Sequence, residues 1–189
     1  MDPAPNRPSK LKSFLEGALY FASAFVLAVI IQTYIARPFI VNGQSMYPTF
    51  KNGEYLIVDE ISYRLGEPER GDVVVFKAPP TPEKFFIKRI IGLPGETVIS
   101  KNGKVTIVNA EHPEGFTLDE SFLKDMTTGT FEAKVPEDAY FVMGDNRTGS
   151  FDSRAWGTLP KENLRGRALL RLLPFGRISY KPGDVSFEN

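Results

Sequence analysis

The longest uncharged stretch of the chain is a run of 20 residues near the N-terminus, Gly17–Ala36, with the sequence GALYFASAFVLAVIIQTYIA. An α-helix of that length rises about 1.5 Å per residue and spans roughly 30 Å, the thickness of the hydrocarbon core of a bilayer. Three basic residues precede the run and one follows it closely: Arg7, Lys10, Lys12 and Arg37. By the positive-inside rule, this pattern predicts a membrane-spanning helix with a cytoplasmic N-terminus.

Two other interpretations of this run fit less well. A cleaved signal peptide has a shorter apolar core, about 7–15 residues, followed by a small-x-small site. The residues Tyr34–Pro38 offer no such site. A buried core helix would normally show a polar stripe. We therefore expect a cytoplasmic tail at residues 1–16, an uncleaved anchor at 17–36 and a domain at 37–189 on the trans side, extracytoplasmic or lumenal.

Composition excludes several classes of function. The 189 residues carry no net charge and no basic block, which argues against nucleic acid as a partner. There is no cysteine, so thiol chemistry, disulfides and thiolate metal sites are all excluded. The single histidine, His112, lies in a loop-like sequence with no nucleophile turn nearby, and the carboxylates are scattered. We expect no metal and no cofactor.

After Pro38 the sequence is typical of a mostly β domain. Short runs rich in Val, Ile, Phe and Tyr alternate with Gly, Pro and Asn. We expect strands at Tyr55–Val58, Val73–Phe76, Phe85–Ile91, Val105–Val108, Tyr140–Met143 and Ala168–Leu173, and helical turns near Leu118–Lys124 and Lys161–Leu164. Residues 96–139 are polar and rich in turns, which predicts a small accessory hairpin and loop.

Two residues stand out as chemical candidates. Ser45 lies between Gly43 and Pro48, a context that is usually only turn chemistry. Lys88 lies in Phe85–Ile91, the most apolar neighbourhood of any lysine after the anchor. A lysine can serve as the base for a serine if burial lowers its pKa by two or more units from about 10.4. The plain alternative is an edge-strand lysine that faces water.

Three segments, Gln44–Phe50, Phe85–Glu96 and Gly144–Lys161, resemble in this order the boxes of type I signal peptidases. These are membrane-bound serine proteases that remove signal peptides from exported proteins. The resemblance runs from about Phe39 to Leu173. It implies a β-rich Ser/Lys protease domain that cleaves exported preproteins after small-x-small sites through an acyl-enzyme, without a cofactor. It also implies membrane lipid and the protein translocation machinery as neighbours.

The resemblance assigns roles to individual residues. Ser45 falls on the nucleophile of the Ser-x-Met-x-Pro-Thr box, and Lys88 falls on the general base. Ser150 corresponds to the hydroxyl that hydrogen-bonds the lysine amine and orients it. Arg89 corresponds to an arginine that pairs with the aspartate at Asp145. The plain alternative is a set of incidental surface contacts.

A second charged pair is implied around Asp152 and Arg154. Shallow apolar pockets of the family accept small side chains at the first and third positions before the cut. The matching residues are Phe39, Val41, Met46, Val75 and Ile87, and each is equally explained as ordinary core. We expect the substrate to bind as an extended strand along the edge of the sheet.

Two rival functions remain open at this point. A membrane-anchored β adapter without catalysis is one, although it would be expected to lack the serine or the lysine. A self-cleaving Ser/Lys repressor-like protease is the other, although it would carry a DNA-binding domain in place of the anchor. The chain also departs from one branch of the family, because Gly43 stands where some members have an oxyanion-binding serine. If Gly43 has a negative φ, a serine there would be tolerated and would add a donor.

Overall fold

The computed structural model describes residues 10–30, 36–185 and 187. Its longest helix, α1, runs from Lys10 to Ile30, and its segment Leu11–Val29 is long and apolar enough to cross a membrane. None of that segment is buried against the rest of the chain. The expected anchor at 17–36 overlaps this helix, but the helix begins earlier. Residues 31–35 of that prediction lie outside the described residues, and Ala36 begins the first strand.

The domain after the helix is mostly β, as predicted. In chain order its strands are β1 (Ala36–Ile40), β2 (Tyr55–Asp59), β3 (Val73–Ala78), β4 (Thr81–Gly92), β5 (Thr97–Lys101), β6 (Lys104–Val108), β7 (Phe116–Thr117), β8 (Phe131–Lys134), β9 (Ala139–Met143), β10 (Leu159–Pro160), β11 (Leu164–Leu173) and β12 (Ser179–Tyr180). Short helices lie at α2 (Ser62–Leu65) and α3 (Ser153–Trp156), with 3₁₀ turns at Lys161–Asn163 and Phe175–Arg177. All six predicted strands are present. The helical turn expected at Leu118–Lys124 is not, and that segment forms turns and bends.

The larger sheet has the antiparallel order β1-β2-β11-β3-β4-β9-β10, and β12 pairs with β11. Although β2, β11 and β3 separate β1 from β4 in this order, the rings of Phe39 on β1 and Phe85 on β4 lie 5.4 Å apart. The sheet is therefore curved enough to bring those two strands together. Because β4 pairs with β9 only over Arg89–Gly92, the first part of β4 has one edge without a strand partner among the described residues.

The accessory region at 96–139 is more regular than predicted. Four strands form a separate antiparallel sheet in the order β7-β6-β5-β8. Inward side chains such as Val98, Val105 and Ile107 share a core cluster with Phe141 and Met143 of β9. Alternating apolar and polar residues along β5 and β6 bury one face of this small sheet, which is why it holds together. A hairpin with loops was too simple a prediction.

The loop between β1 and β2 is fixed by its own apolar side chains. Met46 and Phe50 are 1% and 0% exposed and pack with Leu56, Val73 and Ala168. Burying each such side chain stabilises the fold by about 1.5–3 kcal/mol. The turn that carries Ser45 is therefore held in one place by the core beneath it, although its outer residues face solvent.

Candidate active site

Lys88 and Ser45 lie in direct contact. The Lys88 Nζ is 2.7 Å from the Ser45 Oγ and donates to the backbone carbonyl of Ile87 at 2.9 Å. Lys88 is only 3% exposed, and its Nζ lies 5.3 Å from the centre of the Phe86 ring. The apolar flanks seen in the sequence therefore bury this lysine at the point where β4 enters the core.

Burial lowers the pKa of the Lys88 amine to about 8, because a buried ammonium ion loses its hydration. The carboxylates of Asp152 and Asp145 oppose this effect and raise the pKa, but they do not cancel it. An amine with this pKa is neutral in a large fraction of molecules near pH 8. A neutral amine within hydrogen-bond distance of a hydroxyl can accept its proton.

Arg89, the next residue on β4, forms a buried bidentate pair with Asp145. Its Nε and Nη2 donate to the two carboxylate oxygens at 2.8 and 2.6 Å, and both side chains are 0% exposed. Its Nη1 donates to the carbonyls of Gly71 and Gly183 at 2.8 and 2.6 Å. The pair ties the loop after β9 to the strand that carries Lys88.

A second charged pair lies in the same loop. The Nε and Nη2 of Arg154 each donate to Asp152 at 2.8 Å, and the Gly144 N–H donates to Asp152 Oδ2 at 2.9 Å. Burial alone would raise the pKa of Asp152, but the hydrogen bonds from Arg154 and Gly144 outweigh it and hold that pKa below its ordinary value. Asp152 therefore remains a carboxylate close to the lysine.

Ser150 does not make the hydrogen bond to Lys88 that the family resemblance implied. Its buried hydroxyl interacts instead with the Asp152 carboxylate and helps to lower the pKa of that group. It lies against Gly144, where an added Cβ would come within 2.2 Å of the Ser150 Oγ and 2.3 Å of the Ser45 carbonyl oxygen. The absence of a side chain at Gly144 is what allows the Ser45 turn and Ser150 to meet on the loop after β9.

An apolar cleft opens beside Ser45 and Lys88. Four of the five predicted pocket residues line it: Phe39, Val41, Val75 and Ile87. The fifth, Met46, does not, because its side chain points from the turn into the core beneath. Successive residues of a tight turn can face opposite ways, and here Ser45 is half-buried at the cleft while Met46 is fully buried.

Sequence reasoning missed several residues at the site. Phe85 lines the cleft beside Ile87, and the period-two alternation of a strand would have placed both on one face. Phe151 also lines it. Thr49, in the nucleophile segment, donates its hydroxyl to Asp145 Oδ2 at 2.5 Å. Arg147 is buried and donates its Nε to the Gly144 carbonyl at 3.0 Å. Its Nη1 donates to Thr127 at 2.6 Å and pairs with Glu120, so Arg147 joins this loop to the accessory region.

The described residues form neither a histidine-based triad with Ser45 nor a metal site. His112 contacts Glu114 at 3.4 Å and packs on Phe116 in the accessory region, whereas Ser45 lies in the β1–β2 loop. Within residues 10–30, 36–185 and 187, no group of three or more histidine and carboxylate side chains is placed to hold a metal ion.

Gly43 has a positive φ of +99°, so the condition set above for a serine at this position is not met. Its N–H donates to Asn52 Oδ1 at 2.8 Å, and an added Cβ would meet nothing within 4 Å. Backbone strain is therefore the obstacle, at about 1 kcal/mol. We predict that Gly43→Ser lowers the free energy of unfolding by about that amount without raising turnover.

The matched control for this prediction is Gly129→Ser. Gly129 has a similar φ of +85° with open space around it, but it lies in the accessory region. It should lose similar stability in urea unfolding and keep full turnover. A Gly43→Ser variant with higher turnover and unchanged stability would show that the strain argument is wrong.

Known proteins resemble this chain over most of its length. Residues 14–173 match the model of the signal peptidase, peptidase S26 family. The chain belongs to this family. It is 38% identical over 186 residues to signal peptidase I of Leptolyngbya laminosa, an alignment that covers 93% of this chain and 88% of that protein. It is 39% identical over 183 residues to signal peptidase I S of Bacillus subtilis, with 90% and 95% covered.

A solved structure, the crystal structure of a signal peptidase I from Enterococcus faecalis, is 30% identical, with a TM-score of 0.45 over 54% of this chain and 97% of that one. Family membership confirms the enzyme class predicted from the sequence. The protein is a serine endopeptidase that removes signal peptides, and its N-terminal apolar helix is consistent with the single membrane anchor of signal peptidase I.

Proposed function

We propose that Ser45 is the nucleophile and Lys88 the general base of this signal peptidase. The observation that carries the proposal is the 2.7 Å contact between the Ser45 hydroxyl and an amine whose pKa burial lowers to about 8. A serine hydroxyl is a weak nucleophile unless a nearby base takes its proton. Of the lysines whose side chains the structure describes, from Lys12 onward, Lys88 is the only one that is buried.

The reaction then proceeds in two halves. The Ser45 Oγ attacks the scissile carbonyl carbon while neutral Lys88 takes the hydroxyl proton. When the C–N bond of the tetrahedral intermediate breaks, the Lys88 ammonium gives that proton to the leaving amine. An ester joins Ser45 to the C-terminus of the signal peptide. Water attacks this ester with Lys88 again as base, and the free serine returns with release of the signal peptide.

The surrounding pairs have supporting roles in this proposal. Arg89 neutralises Asp145, and Arg154 neutralises Asp152, so neither carboxylate acts on Lys88 as an unpaired charge. The Ser45 N–H makes no hydrogen bond to any described residue and is free to bind the oxyanion. Ser150 is kept here as a candidate that orients the amine only after a substrate has entered, since in the present structure its hydroxyl interacts with Asp152 and makes no hydrogen bond to Lys88.

The preprotein substrate is proposed to bind as an extended strand in the cleft. Residues of β1 form one wall and the unpaired part of β4 forms the other, so main-chain groups are available on both sides. Phe39, Val41, Val75 and Ile87 give the cleft beside Ser45 an apolar lining. Such a surface favours small side chains at the first and third positions before the cut.

The membrane arrangement is also a proposal. The basic residues before the helix favour a cytoplasmic tail at 1–16 and a catalytic domain at 37–189 on the trans side. Three apolar side chains that line the cleft are also exposed to solvent: Ile40 (56%), Phe85 (44%) and Phe151 (54%). Contact of these side chains with lipid would hold the active site where signal peptides leave the translocation machinery.

The test uses the full chain in detergent with a preprotein that carries an Ala-x-Ala site. We expect wild type to cut after the second alanine and Ser45→Ala to be inactive. Ser121→Ala is the control, because Ser121 is exposed in the accessory region and should leave turnover unchanged. Equal cleavage by wild type and Ser45→Ala would end the assignment of the nucleophile.

A further inference from the structure

The backbone of Thr49, four residues after Ser45, is held from outside the family boxes. Its carbonyl accepts hydrogen bonds from Arg171 Nη2 at 2.9 Å and Arg177 Nη2 at 3.2 Å. Its hydroxyl donates to Asp145. Two cations and a carboxylate therefore fix the far end of the turn that carries the nucleophile.

Glu54 organises the two arginines. Its side chain is 2% exposed and pairs with Arg171 Nε at 3.2 Å and Arg177 Nη1 at 2.5 Å. Arg171 also lies over the ring of Phe50, with 4.9 Å to the ring centre. Because Glu54 is the last residue of the β1–β2 loop that carries Ser45, its pairs with the two arginines hold the end of that loop.

Arg177 belongs to residues 174–185, which we call the C-terminal strap. The strap makes a second contact with the site, through Gly183. The segment matched by the family model ends at residue 173, so Arg177 and Gly183 both lie beyond it. The strap is fastened to β11 by the Lys181 N–H, which donates to the Leu169 carbonyl at 2.7 Å. Two residues further on, the Gly183 carbonyl accepts a hydrogen bond from Arg89 Nη1 at 2.6 Å.

The strap fits closely against both catalytic segments. A Cβ on Gly183 would lie 2.5 Å from Thr49 Cγ2, and one on Gly71 would lie 2.2 Å from the Val185 carbonyl. Gly71 is also the second carbonyl partner of Arg89. The strap therefore packs against the Ser45 turn on one side and against the partners of Arg89 on the other.

We propose that the C-terminal strap is a positioning element for the cleavage reaction, in which Arg177 holds the Ser45 turn through the Thr49 carbonyl and Gly183 holds Arg89 beside Lys88. The proposal rests on the roles proposed above for Ser45 and Lys88. The two hydrogen bonds fix the segments of nucleophile and base relative to one another. A displacement of about 1 Å between reacting groups can cost about 100-fold in rate.

The central variant is Arg177→Ala in the full chain, with Arg177→Lys as the conservative replacement. Arg177 is about one third exposed, so the fold should survive its loss. The control is Arg64→Ala, an exposed arginine on α2. For each variant, kcat and KM for a preprotein are measured per folded molecule, well below its melting temperature. The rate at which a small activated ester acylates Ser45 is measured in parallel, because that rate does not depend on preprotein binding.

We expect Arg177→Ala to lower kcat and the acylation rate by about tenfold or more while KM changes little. Arg177→Lys should recover part of both rates, and Arg64→Ala should match wild type. Gly183→Ala, where it folds, should behave like Arg177→Ala. Wild-type kcat and acylation rates in Arg177→Ala would overturn the proposal, as would an effect confined to the melting temperature. If Ser45→Ala itself stays active, the proposed nucleophile has failed; if only the Arg177 variants are normal, the strap proposal alone has failed.

Discussion

Replacing Lys88 with methionine should abolish cleavage, with a loss of about 10⁴-fold or more, because it removes the base that we propose for Ser45. Lys88→Arg should be equally inactive although it keeps the positive charge, since a guanidinium with a pKa above about 12 does not give up its proton under assay conditions. Turnover of a preprotein with an Ala-x-Ala site is the measurement. Lys101→Met, on an exposed position of the accessory sheet, is the control and should cleave normally.

The same Lys88→Met change should stabilise the fold at neutral pH. The unfolded chain keeps the lysine proton up to the ordinary pKa of 10.5, whereas the folded protein releases it near 8. Between pH 8 and pH 10.5 unfolding takes up a proton, so the free energy of unfolding of wild type rises with pH. Below about pH 8 the folded wild type carries the full cost of a buried ammonium ion. That cost is about 3 kcal/mol for a shift of this size.

The stability advantage of Lys88→Met over wild type should therefore be larger near pH 7 than above pH 10.5 by about 3 kcal/mol. Urea unfolding of both proteins across this range gives the difference directly, because the other titrating groups are common to both. A pH-independent difference would mean that Lys88 is not charged and buried as described. Substantial turnover by Lys88→Arg would show that Lys88 is not the base.

Asp145→Ala should cost about 3–5 kcal/mol of stability, because it leaves the buried guanidinium of Arg89 without its counter-ion. It also removes the acceptor for the Thr49 hydroxyl. Activity should fall with it, since Arg89 adjoins Lys88 and Thr49 belongs to the Ser45 turn. The measurement is the free energy of unfolding in urea, beside preprotein turnover.

Asp138→Ala is the control for this prediction, because Asp138 is exposed and its side chain makes no hydrogen bond among the described residues. It should unfold like wild type. The double variant Arg89→Met with Asp145→Leu should lose less stability than the sum of the two single changes, since no charge is left stranded. Additive losses, or an Asp145→Ala variant as stable as wild type, would contradict a buried pair that depends on both members.

The sequence predicted which two residues meet at this site better than it predicted their surroundings. The apolar neighbours of Lys88 indicate burial by simple patterning, and burial of a lysine has a predictable effect on its pKa. The order of the three boxes indicates which serine it meets. Met46 shows the limit, because its place next to Ser45 suggested the cleft, whereas the direction of a side chain in a turn is decided by the core that forms beneath it.

The strand β1 was not among the six predicted strands, and this too has a physical explanation. β1 contains Pro38, which argues against a strand but is tolerated at the edge of a sheet, where β1 lies. The contacts of the C-terminal strap were beyond prediction for a different reason. Glu54 and Arg177 are 123 positions apart, and Arg89 and Gly183 are 94 apart. No local pattern encodes such pairs, which follow only from how the whole sheet curves.

The most direct test of Lys88 as the general base is the pH dependence of kcat/KM for wild-type cleavage, measured from about pH 6 to pH 10. This ratio reports the ionisation of groups in the free enzyme. Because Lys88 must be neutral to accept the Ser45 proton, and because burial lowers its pKa to about 8, the ratio should rise through a single step with its midpoint near pH 8. A ratio that is as high at pH 6 as at pH 9 would contradict a buried neutral lysine as the base.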